Sequence, residues 1–230
     1  MTSNPLKKNR PRPKRTQLTS LADQVYGQLR VAIISAQLPP GEKLVELDIA
    51  ADMGTSQGPV REALQRLERD GLVERRARKM TLVSNFSIDE MYELFSVRTV
   101  IEGFAIQRTA LKITDDQCDE LEALIENMTE AGRQNNIITL SRYDVQFHQH
   151  ICEWAESTSL LQAWMPLSSQ IQRFVVQTHP ERYPDFVDVA IRHQPIVDAL
   201  RSHNAEHAAR TVQEHIMRFW SGFNPASLKR

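Results

Sequence analysis

The stretch Met53–Met80, MGTSQGPVREALQRLERDGLVERRARKM, restricts the fold of this chain more than any other. It reads as a turn at Gly54, a helix entered at its N-terminus, and two strands around a basic tip. Thr55 and Ser56 are helix N-cap types, and Pro59 suits a first turn, where its missing N–H is no loss. Val60, Ala63, Leu64 and Leu67 then recur at helical spacing as one apolar stripe. The other face carries Gln57, Arg61, Gln65 and Arg69, side chains able to reach base edges or phosphates. Gly71 stops the helix, and Leu72-Val73 and Thr81-Leu82-Val83 flank Arg75, Arg76, Arg78 and Lys79. A helix followed by a basic β-wing predicts contact with double-stranded DNA. The expected contact residues are Ser56, Gln57, Gly58, Arg61 and Arg66 on or before the helix, with Arg78 and Lys79 on the wing.

The elements before this stretch fit the same architecture. Leu21, Val25, Leu29, Ala32 and Ile33 mark an amphipathic helix over Ser20–Ala36, which Pro39-Pro40-Gly41 ends in a turn. Leu44 begins an extended link, and Leu47, Ile49, Ala50 and Met53 predict a short helix. Helix, helix, turn, helix, wing is a winged helix-turn-helix over residues 18–84. Residues 1–17 hold Lys7, Lys8, Arg10, Arg12, Lys14 and Arg15 with three prolines and no acid, which predicts a disordered basic arm adding phosphate attraction or solubility.

Beyond Ser84 the pattern is wholly helical. Capping boxes at Ser87-Ile-Asp-Glu90 and Thr114-Asp-Asp-Gln117 open helices to about Leu111 and Arg133. Further helices are expected over Ile138–Ala155, Ser159–Gln177, Phe186–Ser202 and Ala205–Phe223, with Pro166 and Pro195 kinking or dividing theirs. Six amphipathic helices with short links predict an all-α antiparallel bundle over 87–223, joined to the front domain at a Phe86 hinge. The chain is thus expected to be mainly α, in two domains.

Charge divides the chain the same way. Residues 1–84 carry 15 Lys/Arg against 9 Asp/Glu, a net of +6, and residues 85–230 carry 13 against 20, a net of −7. Nucleic acid is therefore expected to meet only the front. No apolar run suits a membrane span or a signal peptide, and two cysteines, Cys118 and Cys152, fit a reducing cytoplasm.

All seven histidines fall in the rear half. Asp144 and His148 stand at i and i+4, about 40° apart around a helix, so carboxylate and imidazole project together. His193 and His215 lie on the last two helices beside core-facing residues. If those helices run antiparallel, both reach the level of Asp144 and His148, and three imidazoles with a carboxylate suit Zn²⁺, Ni²⁺ or Mn²⁺. A hydrogen-bonded Asp/His pair is the alternative, and His203/His207 form a competing i, i+4 pair. Arg98, one helix earlier, reads either as a guanidinium for an effector carboxylate or as a salt bridge to Glu102. His150, His179, Trp154, Trp164 and Trp220 read as surface or core residues.

Two resemblances sharpen these readings. The run PPGEKLVELDIAADMGTSQGPVREALQRLERDGLV is similar to the DNA-binding domain of GntR-type bacterial transcription regulators, over about residues 20–84. Arg98-Thr-Val-Ile-Glu102, Asp144-Val-Gln-Phe-His148, His193 and His215 resemble the FadR-type C-terminal effector domain (FCD), over about 87–222. The resemblance implies that Asp144, His148, His193 and His215 are metal ligands and that Arg98 binds the effector. Three departures stand out: Gln57-Gly58 where the family has Arg before its Thr-Pro-Val-Arg, Lys79 or Met80 at the wing tip where it has glycine, and Ser157 where metal-binding members have Asn.

The expectation is a metabolite-responsive transcription regulator, usually a repressor, and not an enzyme. It would be a homodimer on a near-palindromic operator, answering to a small carboxylate metabolite held at a divalent transition metal. One rival is the same regulator with a metal-free dimerisation or ligand domain. Another is a metal-dependent hydrolase with a DNA-binding domain, against which stands the lack of HExxH or a recognisably spaced general base.

Overall fold

A computed structural model describes residues 20–76, 80–85 and 87–221. The basic arm over 1–17, the wing residues Arg78 and Lys79, the Phe86 hinge and the expected helix end at 222–223 lie outside the described residues.

The first helix, α1 (Leu21–Ile34), begins at a capping box: the Ser20 hydroxyl accepts from the Asp23 N–H at 3.0 Å, and the Asp23 carboxylate accepts from the Ser20 N–H at 3.1 Å. It stops two residues earlier than expected, and Ala36 takes a left-handed conformation. β1 (Lys43–Leu44), α2 (Glu46–Asp52), α3 (Gln57–Arg69), β2 (Val73–Arg76) and β3 (Met80–Val83) follow. The extended link at Leu44 is a third strand, since the antiparallel sheet has order β1-β3-β2, with Lys43 opposite Leu82 and Val73 opposite Val83. Ser56 takes the N-cap backbone position of α3, but its side chain makes no capping hydrogen bond. Val60, Ala63, Leu64 and Leu67 are fully buried against Val25, Leu29 and Ile33 of α1. Gly71, at φ +69°, makes the left-handed turn from α3 into β2.

The second part is a bundle of α4 (Ile88–Ala110), α5 (Asp115–Arg133), α6 (Ile137–Trp154), α7 (Thr158–Arg182), α8 (Phe186–Ile191), α9 (Gln194–Arg201) and α10 (Ala205–Met217), with a 3₁₀ turn at Arg218–Trp220. Side chains of Ser87, Thr114, Asn136, Ser157, Asp185 and Asn204 cap six of these helices. The two prolines behave differently. Near Pro195 the expected helix divides into α8 and α9: Pro195 offers no N–H to the carbonyl of Ile191, where α8 ends. Pro166 does not divide α7, which passes Pro180 as well and runs to Arg182 instead of Gln177. Leu160, Trp164, Ile171 and Phe174, buried on the bundle side of α7, hold the helix together across the lost hydrogen bonds.

The two apolar clusters share no residue. Between them α7 bonds to the winged domain. Arg30 donates to Ser169 Oγ at 3.0 Å and Gln172 Oε1 at 2.6 Å, and Gln177 donates to the Ile33 and Ile34 carbonyls at 3.3 and 3.4 Å. Arg173 donates to Ser84 Oγ at 3.0 Å and its carbonyl at 3.1 Å. Among the described residues no helix is long and apolar enough to cross a membrane.

Candidate functional site

In the bundle, α6, α10 and the α8–α9 corner bring three histidines together. One ligand nitrogen from each of His148, His193 and His215 lies within 4.8 Å of the others. Asp144, one turn before His148, joins them with Oδ1 3.1 Å from His193 Nε2. The second nitrogen of each ring is already engaged. His148 Nδ1 faces Glu102 Oε2 at 2.6 Å, His193 Nδ1 faces the Val189 and Ala190 carbonyls at 3.1 Å, and His215 Nδ1 faces the Arg192 carbonyl at 3.3 Å. These partners are all acceptors, so each ring carries its proton on Nδ1 and turns the Nε2 lone pair inward.

That arrangement leaves Asp144 Oδ2, His148 Nε2 and His193 Nε2 buried without a hydrogen-bond partner. A buried unpaired acceptor costs about 1–3 kcal/mol, and a cation held at this point would offset that cost. The donor set fits a divalent transition metal: neutral imidazoles and one carboxylate, each imidazole oriented by an outer acceptor.

The charge states agree. Burial pushes His148 below the usual imidazole range, against the pull of Glu102. Burial and then its neighbours His193 and His148 push His215 well below it. Burial would raise the Asp144 carboxyl, but its surroundings, His193, His148 and Arg98, outweigh it and hold it well below the usual carboxylate range.

Glu102 is the outer anchor. Fully buried, it accepts from Arg98 Nε at 2.6 Å and Trp164 Nε1 at 2.8 Å, besides facing His148. Burial would raise its carboxyl, yet Arg98 and His148 hold it at about 2. Arg98 thus makes the i, i+4 salt bridge, but as a buried group that also lines a cavity of about 50 Å³ beside Asp144, His193 and His215. That volume accepts about three waters or a small ligand group. His179, Tyr183, Arg192 and Arg218 line it too, none of them anticipated from the sequence. Burial pushes His179 down to about 4. His203 and His207 lie away from this cluster; His203 Nδ1 faces the Ala110 carbonyl at 2.9 Å.

On the winged domain, Ser56, Gly58 and Arg61 are exposed and Gln57 is half-buried at the N-terminal end of α3. Arg61 donates to Glu46 Oε2 at 2.6 Å and Gln57 Oε1 at 2.8 Å, which holds its side chain along the protein surface while most of it stays in solvent. Arg66 is not part of this group. Five residues further on, it points about 140° around the helix. There it pairs with Asp23 Oδ1 at 2.5 Å, with its guanidinium 4.2 Å from the Tyr26 ring centre. Packing of α1 against that flank of α3 puts an acid and an aromatic face within reach of Arg66, so it braces the domain.

The sequence model of "Bacterial regulatory proteins, gntR family" matches residues 21–83, and that of the "FCD domain" matches residues 93–218. The chain is 32% identical over 203 residues to the "Probable D-xylose utilization operon transcriptional repressor" of Paenarthrobacter nicotinovorans, covering 88% of each. It is 25% identical over 196 residues to the "Gluconate operon transcriptional repressor" of Bacillus licheniformis, covering 84% of this chain and 80% of that one. Among solved structures, E. coli McbR/YncC superposes with a TM-score of 0.72 at 19% identity, over 90% of this chain and all of that one. A putative GntR regulator from Rhodococcus sp. RHA1 gives 0.72 at 23%, over 92% and 100%. These relatives are named as transcription repressors and not as enzymes. The chain belongs to the GntR family of bacterial transcription regulators, in the branch whose C-terminal half is an FCD domain.

Proposed function

We propose that this regulator is a repressor whose DNA affinity is set by a small carboxylate metabolite bound at a metal in the FCD cavity. The observation that carries the reading is the convergence of His148 Nε2, His193 Nε2 and Asp144 Oδ2, buried and unpartnered, beside His215. These four residues would hold a divalent transition metal (Zn²⁺, Ni²⁺ or Mn²⁺), which would supply a Lewis-acidic site for a carboxylate oxygen. Arg98, its plane fixed by the Nε bond to Glu102, would add a charge-assisted donor from the cavity wall.

On the DNA side, Ser56, Gln57, Gly58 and Arg61 would read and position the operator, joined by Arg78 and Lys79 of the wing. A homodimer would place two α3 helices in successive major grooves of a near-palindromic site. Coupling would run through α7, which lines the cavity with Val175 and His179 and bonds to the winged domain through Ser169, Gln172, Arg173 and Gln177. A ligand shifts the winged domains only by binding one arrangement more tightly than another.

Elemental analysis of untagged protein tests the metal, with Asp144→Ala/His148→Ala alongside. Stoichiometric transition metal in the native chain and none in the variant is the expected result; none in either, even after reloading, would overturn the metal reading. Gel shifts on the promoter beside its own gene test the operator: a salt-sensitive, sequence-preferring complex is expected, released by a carboxylate only when the metal site is intact.

A further inference from the structure

The cavity beside the candidate metal centre carries more positive charge than one carboxylate uses. Its wall holds three guanidinium groups, Arg98, Arg192 and Arg218, against a single carboxylate, Asp144. Glu102 balances Arg98, and burial keeps His179 neutral. Arg192 and Arg218 are left over: neither side chain makes an ion pair or a hydrogen bond among the described residues. Asp188 stands one turn before Arg192, the spacing of a helix ion pair, yet the two form none. The Arg192 guanidinium lies instead 4.9 Å from the Tyr183 ring centre.

Both arginines are tied to the histidines of the site. Arg192 directly precedes His193, and its carbonyl faces His215 Nδ1 at 3.3 Å. Arg218 follows His215 by three residues, where α10 passes into its 3₁₀ turn. His193 is buried, Arg192 half-buried and Arg218 exposed, so the wall runs from the imidazoles out to solvent with the two unpaired guanidinium groups on the solvent side.

We infer that the effector is a short dianion, with one carboxylate at the metal and Arg98 and a second anionic group at Arg192 and Arg218. The inference rests on the carboxylate-at-metal reading above and narrows it to ligands with two acidic groups. A divalent ion against Asp144 leaves one positive charge, and Arg192 and Arg218 bring two more, so a dianion offsets what a monoanion leaves unpaired. The cavity volume of about 50 Å³ admits only a short chain between the two groups. A carboxylate or a phosphate monoester serves as the second group, since either offers paired anionic oxygens to a guanidinium.

Isothermal titration calorimetry of the zinc-loaded full chain tests this with butyrate, succinate and phosphoglycolate. Butyrate and succinate share a four-carbon chain and differ by one terminal carboxylate. Succinate or phosphoglycolate is expected to bind about 10–100-fold more tightly than butyrate, and the tighter of the two identifies the second group. In Arg192→Gln/Arg218→Gln that preference is expected to collapse towards one, whereas Arg192→Lys/Arg218→Lys, which keeps the charge, retains most of it. The zinc content of each variant reports whether the metal site survived the substitution. Equal affinity for all three probes, or a preference that persists in the glutamine variant, would overturn the dianion and leave the carboxylate-at-metal reading standing. Guanidinium groups that only steer anions inward would give the second of these results, because they weaken every probe together. No binding of any probe, with or without zinc, would overturn both. A preference kept without zinc and lost in the glutamine variant would support the dianion and remove the metal as its anchor.

Discussion

Removing the Glu102 carboxylate should be the most damaging single change near the candidate metal centre. Three groups depend on it: Arg98, whose side chain is 5% exposed, His148 and Trp164. Glu102→Ala leaves a buried guanidinium without its hydrogen-bonded counter-charge and takes the acceptor from the Trp164 indole N–H. Breaking a buried ion pair by removing one partner costs about 3–5 kcal/mol. At about 2–4 °C per kcal/mol for a domain of this size, the melting temperature falls by about 6–20 °C. Trp154, Trp164 and Trp220 all belong to the bundle, so tryptophan fluorescence during urea unfolding reports that part alone. Glu102→Gln keeps the shape and one acceptor for the Trp164 N–H, but it removes the same counter-charge and no longer fixes the Nδ1–H form of His148. Metal affinity is therefore expected to drop about 10–100-fold alongside a stability loss approaching that of Glu102→Ala. A Glu102→Ala transition within about 0.5 kcal/mol of the native one would refute the reasoning, because surface-like tolerance is incompatible with a buried three-way acceptor.

Other perturbations follow from the same geometry. Arg61→Ala should weaken operator binding and lower the slope of log affinity against log salt by about one, whereas Arg66→Ala should leave that slope unchanged and cost the winged domain up to about 1 kcal/mol in thermal unfolding. His179 is neutral when folded, with its pKa lowered to about 4, so the unfolded chain takes up its proton first and stability falls as pH drops below about 6.5. Its share reaches about 3 kcal/mol at pH 4, and His179→Phe should flatten the urea-midpoint profile between pH 7 and pH 4. Gly71→Ala must hold a left-handed backbone and push its methyl against the Gln170 side chain, a loss of about 1–2 kcal/mol by denaturant titration, and an unchanged midpoint would count against the turn described.

What the sequence revealed followed the range of the interactions involved. Helical periodicity and the capping sequences at Ser87 and Thr114 are local, and the helices they mark formed close to where they were expected. β1 is two residues long and exists only through β3, nearly forty residues away, so nothing local announced it. Pro166 and Pro195 look alike in sequence, and only the packing of α7 decided that one helix would continue and the other divide. The end of α7 explains His179. With a helix expected to stop at Gln177 it had no place in a cavity, and the extra turn carries it there. Glu102 was legible as the partner of Arg98, but its bond to His148 joins residues 46 positions apart and depends on how α4 meets α6. The Arg66–Asp23 pair was hidden for a similar reason, since α3 taken alone does not show which flank α1 will occupy.

The junction along α7 has a thermodynamic character unlike that of either core. Arg30, Arg173 and Gln177 cross it by hydrogen bonds, and the two apolar clusters stay separate. Swinging the winged domain away exchanges those bonds for bonds to water, at a net of about 1 kcal/mol each, and leaves both cores closed. Such a motion has a small heat-capacity change, so its equilibrium varies gently with temperature, whereas unfolding either core does not. Opening of the joint would thus leave both halves folded, and a ligand with different affinity for the two arrangements would tilt it.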